Sequence, residues 1–145
     1  SRKLSGILND SFNGPKNLKP NVSAAFTKQF SRIAMTLNSN ASIVKHWMDR
    51  AEQLTDPDSE AQLRYVEEEF YELINAWNHE TRSDVIKEAC DLLWVVYGLL
   101  HTMDVDPDQA FDRIAASNYS KFPFTKVDGK VQKGPDYEPA NLTDL

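Results

Sequence analysis

Cysteine is nearly missing from this chain: Cys90 is the only thiol among 145 residues. That excludes an intramolecular disulfide and any Cys-based zinc cluster, and it suits a reducing, cytoplasmic setting. Long apolar runs are missing too. The longest, Leu92–Leu100, spans nine residues, against about 20 for a membrane helix, so no transmembrane segment is expected. SRKLSGILND at the N-terminus lacks the apolar stretch of a secretory signal. Glycine is scarce, with five residues, and neither a Gly-rich phosphate loop nor a nucleophile elbow is present. The three histidines, His46, His79 and His101, stand apart from one another and read as surface or packing residues. His79-Glu80-Thr81-Arg82-Ser83 fails as H-E-x-x-H, because Ser83 stands where the second His belongs.

What is abundant is negative charge in the middle of the chain. Residues 1–50 hold 8 Lys/Arg and 2 Asp/Glu, residues 51–112 hold 3 and 16, and residues 113–145 hold 5 and 4. An acidic centre between more basic ends opposes general nucleic-acid binding, which needs a broad basic face. It fits a metal site that draws in cationic groups, or simply solvated acidic helix faces.

Length and composition predict one domain. Residues 1–20, with Gly6, Gly14, Pro15 and Pro20, read as an N-terminal arm. Residues 21–121 read as one helical domain. Asn21 caps a first helix with Val22, Phe26, Phe30 and Ile33 on one face, running to about Leu37. Asn38-Ser39-Asn40 breaks it, and Ser42–Leu54 follows as a second helix. Pro57 opens a third, at its first helical position, to about Trp77. Thr81 caps a fourth, with Asp84 completing a capping box, to about Met103. Asp106 caps a fifth to about Lys121, with Pro107 in the first turn and Gln109 as reciprocal partner. Residues 122–145 form a C-terminal tail in which Asp128-Gly129 suggests a short hairpin. The expected fold is therefore all-α, a bundle of about five helices. Leu92–Leu100 is apolar on every side, so burial on every side is expected, and in so small a chain that means a subunit interface.

Two acidic pairs carry the chemistry. Glu69 and Glu72 are three apart on the third helix, as are Glu88 and Asp91 on the fourth, so each pair shares a helix face. The short connection makes the helices antiparallel neighbours and lets the pairs face each other. Four carboxylates together repel, and Asp91 borders the apolar run, where a bare charge is costly. A hard divalent cation resolves this, since Mg²⁺ or Mn²⁺ takes oxygen ligands and leaves positions for phosphate and water. The competing reading pairs these acids with Arg64, Lys87 or solvent. Glu67 and Glu68 fit that reading, with Arg64 four residues before Glu68. A di-iron site of the E-x-x-H kind is excluded by Asn75 and Asp91.

Glu69-Phe70-Tyr71-Glu72 and then Glu88-Ala89-Cys90-Asp91, followed by Leu92-Leu93-Trp94, resemble the MazG-like nucleoside triphosphate pyrophosphohydrolases of the all-α NTP pyrophosphatase superfamily. Asn118 and Lys121 match the Asn and Lys that follow in that pattern, and Asp128–Tyr137 is similar to the tail of a phage and bacterial branch. The resemblance spans about residues 60–140. It implies hydrolysis of an NTP or dNTP to the monophosphate and pyrophosphate, with a lean to dGTP or GTP, for nucleotide-pool control. It also implies Mg²⁺ or Mn²⁺ as cofactor and a homo-oligomer, dimer or tetramer. Glu69, Glu72, Glu88 and Asp91 would be the metal-holding and catalytic residues. Asn118, Lys121, Lys126, Lys130 and Lys133 would bind substrate, the tail thus contributing to the site. Phe26, Phe30, Trp47 and Trp77 offer a base-stacking wall or, more simply, core. Against this enzyme stand a non-enzymatic dimerising helical module and a divalent-ion-binding protein.

Overall fold

Ser39 starts the helical architecture that the computed structural model describes over residues 37–145. The expected helix over residues 21–37, with Phe26 and Phe30, lies essentially outside the described residues. Within them the chain is all-α, with four helices and one two-stranded hairpin.

Helix α1 spans Asn40–Arg50. The Asn38-Ser39-Asn40 break is a helix start: Ser39 Oγ accepts from Ser42 N at 3.1 Å, and Ser42 Oγ accepts from Ser39 N at 3.0 Å. This reciprocal cap sets the boundary two residues ahead of the expected Ser42. The other end comes early too, because Glu52 turns to φ 58° and Ala51–Leu54 is a turn.

Helix α2 spans Ser59–His79. Pro57 is not its first residue. Asp58 is the cap, its carboxylate accepting from Ala61 N at 2.9 Å, and Pro57 stands outside. Helix α3, Arg82–Thr102, begins with the expected box, Asp84 Oδ2 accepting from Thr81 N at 3.0 Å and Thr81 Oγ1 from Asp84 N at 3.3 Å. Only Glu80 and Thr81 separate α2 from α3, which forces an antiparallel pair, and this pair is the principal packing of the fold.

Helix α4 spans Pro107–Tyr119. Its Asp106 cap accepts from Asp108 N at 2.9 Å. The reciprocal bond expected from Gln109 is absent among the described residues. Asp108 is instead engaged across the fold, accepting from Ser39 Oγ.

The core lies where α1 crosses the long pair. Ala41, Val44 and Met48 are buried there, and Ala76 is buried near the far end of α2. Gly98 makes the close approach possible, since a Cβ there would lie 2.5 Å from Gln62 Nε2 and 3.3 Å from Met48 Sδ. Gln62 is buried but satisfied, donating to the Val95 carbonyl at 3.1 Å. Trp47 meets Trp94 edge to face at 5.8 Å. The apolar run is not enclosed on every side by the described chain, since Leu93 remains 55% and Val96 37% exposed. One helix partner on one side, and α1 on another, leaves α3 a third face.

Beyond α4 the tail folds back along that helix. Ser117 Oγ donates to the Glu138 carbonyl at 2.7 Å, Glu138 N donates to Ser120 Oγ at 2.8 Å, and Arg113 forks onto Asp144. Hairpin strands β1 (Lys126–Val127) and β2 (Lys130–Val131) pair antiparallel, with Val127 opposite Lys130. Asp128 and Gly129, at φ 51° and 76°, form the expected turn.

Candidate metal centre between the long helices

Both acidic pairs owe their placement to helix periodicity. On α2, Glu69 and Glu72 lie one turn apart, and on α3 so do Glu88 and Asp91. Antiparallel packing turns the pairs toward each other. Glu69, Glu88 and Asp91 each present a carboxylate oxygen, and these oxygens lie within 4.8 Å of one another. Glu72 borders the same centre, close enough to Glu88 to feel its charge.

Burial sharpens the conflict. Glu88 is only 9% exposed. Glu88 Oε2 and Glu69 Oε2 are both buried without a hydrogen-bond partner, although a buried acceptor is normally satisfied. Two orphaned anionic oxygens on facing helices are what a divalent cation would complete, and the all-oxygen donor set fits Mg²⁺ or Mn²⁺. Lost hydration, then the charges of Glu72, Asp91 and Glu88, hold the Glu69 carboxyl above its ordinary range. Lost hydration and then the charge of Glu88 likewise push Glu72 upward.

Among the described residues, one cation stands at this centre. Lys87 Nζ donates to Asp91 Oδ2 at 2.8 Å and to Glu88 Oε1 at 2.9 Å. Those bonds raise the Lys87 ammonium above its usual range. Arg64 takes no part: it pairs with Glu60 at 3.6 Å, not with Glu68 as its spacing also allowed. Glu68 turns to an open cleft of about 610 Å³ that it lines with Tyr71, Glu72, Asn75, Glu80 and Glu88. Tyr71, Asn75 and Glu80 were not singled out in the sequence. Tyr71 and Asn75 follow Glu68 and Glu72 at helical spacing, a signal that was available. Glu80 is tied in by Asn75 Nδ2, which donates to Glu80 Oε1 at 2.7 Å.

The candidate substrate residues lie on α4 and in the tail. Asn118 is on α4, but Lys121 stands two residues past its end, not on the helix, and donates to Asn118 Oδ1 at 2.8 Å. Lys126 lies over the Phe124 ring at 5.8 Å, and Lys133 over Tyr137 at 4.4 Å. Lys130 sits in β2. Among the described residues no hydrogen bond or ion pair joins any of these five to the four acids. His101 packs, its Nε2 lying 2.7 Å from the Ala41 carbonyl.

The E-x-x-E and E-x-x-D pairs thus sit on one antiparallel helix pair. The family model of phosphoribosyl-ATP pyrophosphohydrolase matches residues 37–118, more than half of the chain. The chain belongs to that family, within the all-α NTP pyrophosphohydrolase (MazG-like) superfamily. The general activity that goes with membership is pyrophosphohydrolysis of a nucleotide, typically with a divalent metal. No curated protein matches the chain. No helix among the described residues is long and apolar enough to cross a membrane.

Proposed function

We propose that this chain hydrolyses a nucleoside triphosphate, NTP or dNTP, to the monophosphate and pyrophosphate, using Mg²⁺ or Mn²⁺ held by Glu69, Glu72, Glu88 and Asp91, in control of the nucleotide pool. The observation that carries this reading is the convergence of three carboxylates within 4.8 Å with two buried oxygens left unpartnered. When bound, the cation supplies charge neutralisation at the phosphates and a lowered pKa for the attacking water. Glu72 stands at the cleft edge beside the other acids, where it can accept a proton from that water. The cleft between Tyr71 and Glu80 gives the nucleotide room beside the acids. Lys121, Asn118 and the tail lysines Lys126, Lys130 and Lys133 bind the triphosphate, a role that rests on the MazG-like pattern.

Self-association accompanies this reading. Leu63, Val66, Phe70, Leu92 and Val96 line an apolar groove between α2 and α3, and a second copy of the chain covers it in a dimer or tetramer. Neither nucleic acid nor membrane is among the partners.

The test is product analysis after incubation with Mn²⁺ and a nucleotide panel that starts with dGTP and GTP and includes phosphoribosyl-ATP. Monophosphate and pyrophosphate from a nucleoside triphosphate are the expected products. Release of inorganic phosphate and a diphosphate would overturn the reading. Thermal stabilisation by Mn²⁺ without turnover of any nucleotide would leave a divalent-ion-binding protein, and no response to metal would leave a helical interaction module.

A further inference from the structure

Lys87 is a cation standing where the proposed metal must work. Its Nζ reaches two of the four acids, Asp91 at 2.8 Å and Glu88 at 2.9 Å. It approaches from the solvent side, its side chain 63% exposed, and so is free to leave. Its reach stops at the rim: the two bonds use Glu88 Oε1 and Asp91 Oδ2, while Glu88 Oε2 and Glu69 Oε2 stay buried and unpartnered. Among the described residues, one positive charge thus meets four acids. Asp84, one turn before Lys87 on the same helix, also feels its charge.

We propose that Lys87 is a resident counter-ion of the acidic centre, which a divalent cation must displace from Glu88 and Asp91 in order to bind. This inference rests on the metal-site reading above. A divalent ion that takes Glu88 Oε2 and Glu69 Oε2 sits on the same Glu88 carboxylate that Lys87 holds through Oε1, and the repulsion between two cations on one carboxylate drives the ammonium off. The chain therefore keeps a folded, metal-free state at the expense of metal affinity. The released ammonium is left beside the metal and the incoming phosphates. Lys87 is a positioning residue by this account, not a metal ligand.

The test is Mn²⁺ binding by calorimetry, with apo melting curves, for the wild type, Lys87→Gln and Lys87→Arg. Lys87→Gln should bind Mn²⁺ roughly tenfold more tightly, the order expected when a unit charge beside a divalent ion is removed under near-aqueous screening. Its apo form should melt lower than wild type, and Lys87→Arg, which keeps the charge, should bind Mn²⁺ no more tightly than wild type. Equal or weaker Mn²⁺ binding by Lys87→Gln, with the wild type binding normally, overturns the counter-ion inference and leaves the metal site standing. Failure of all three proteins to bind Mn²⁺ overturns the metal-site reading and this inference with it.

Discussion

Glu69 and Glu88 reach toward each other from facing helices, and each ends in a buried carboxylate oxygen with no hydrogen-bond partner. Packing between α2 and α3 therefore works against this pair in the metal-free chain. Removing one charge should relieve it. Glu88→Gln is predicted to raise the apo melting temperature by roughly 2–4 °C, the shift of about 1 kcal/mol in a chain of this size. The same change should abolish the stabilisation by Mn²⁺. A differential-scanning comparison with and without Mn²⁺ checks both, and a Glu88→Gln protein still stabilised by Mn²⁺ like wild type would remove Glu88 from the site.

The same repulsion sets a pH dependence. Glu69 and Glu72 have folded-state pKa values raised above 4.5, so the folded chain binds more protons than the unfolded chain in that window. Their contribution to apo stability therefore falls as pH rises from about 4.5 through the raised values. Asp84 and Asp144 are shifted the other way, below 3.8, and their contribution is lost only at more acidic pH. Protons compete with metal for the carboxylates, so stabilisation by Mn²⁺ should grow from pH 5 to pH 7. Melting curves across this range with and without Mn²⁺ decide it; a Mn²⁺ effect independent of pH would contradict the assignment.

Gly134 closes the hairpin segment onto residues 121–123, just past the end of α4. A Cβ there would lie 2.1 Å from the Pro123 carbonyl oxygen and 2.5 Å from that of Lys121, both backbone atoms. Gly134→Ala should cost about 1–3 kcal/mol, as overpacking does when backbone must shift. Limited proteolysis should then cut within residues 122–145 sooner than in wild type. An unchanged melting temperature and unchanged cleavage would show that the tail moves freely enough to absorb the methyl group.

Lys121 separates the substrate-binding role from a purely structural one. Lys121→Ala should slow hydrolysis by tens-fold or more while leaving Mn²⁺ affinity near wild type, because a phosphate-facing ammonium acts on developing charge and not on the acid cluster. Its bond to Asn118 Oδ1 alone is an exposed contact whose loss would lower stability only slightly. Unchanged turnover and Michaelis constant in this mutant would take Lys121 out of the site.

Much of this was legible because helices announce themselves locally. Thr81 with Asp84, and Asp106 before Pro107, are caps whose chemistry is complete within four residues. The i, i+3 acids followed from periodicity alone, and the approach of Glu69, Glu88 and Asp91 from a short connection. Other features depended on contacts that spacing does not encode. Arg64 had acids four residues away on both sides, and only packing sends it to Glu60. Ser39 looked like a breaker because its cap depends on Ser42 returning the bond. Asp108 is drawn to Ser39, 69 positions away in the chain. The cleft lined by Tyr71, Asn75 and Glu80 arises where α2 ends, and its shape is not a property of any one segment.

The central claim is that the acids of α2 and α3 hold the metal that drives hydrolysis. Its most direct test is pyrophosphate release from a nucleoside triphosphate during a Mn²⁺ titration, run on wild type and Asp91→Asn with helical content checked by circular dichroism. The account predicts that wild-type turnover rises and saturates with the Mn²⁺ occupancy of the protein. It also predicts that Asp91→Asn, folded as wild type, loses about 100-fold or more at the same Mn²⁺ concentration. A folded Asp91→Asn protein that releases pyrophosphate at the wild-type rate would contradict it.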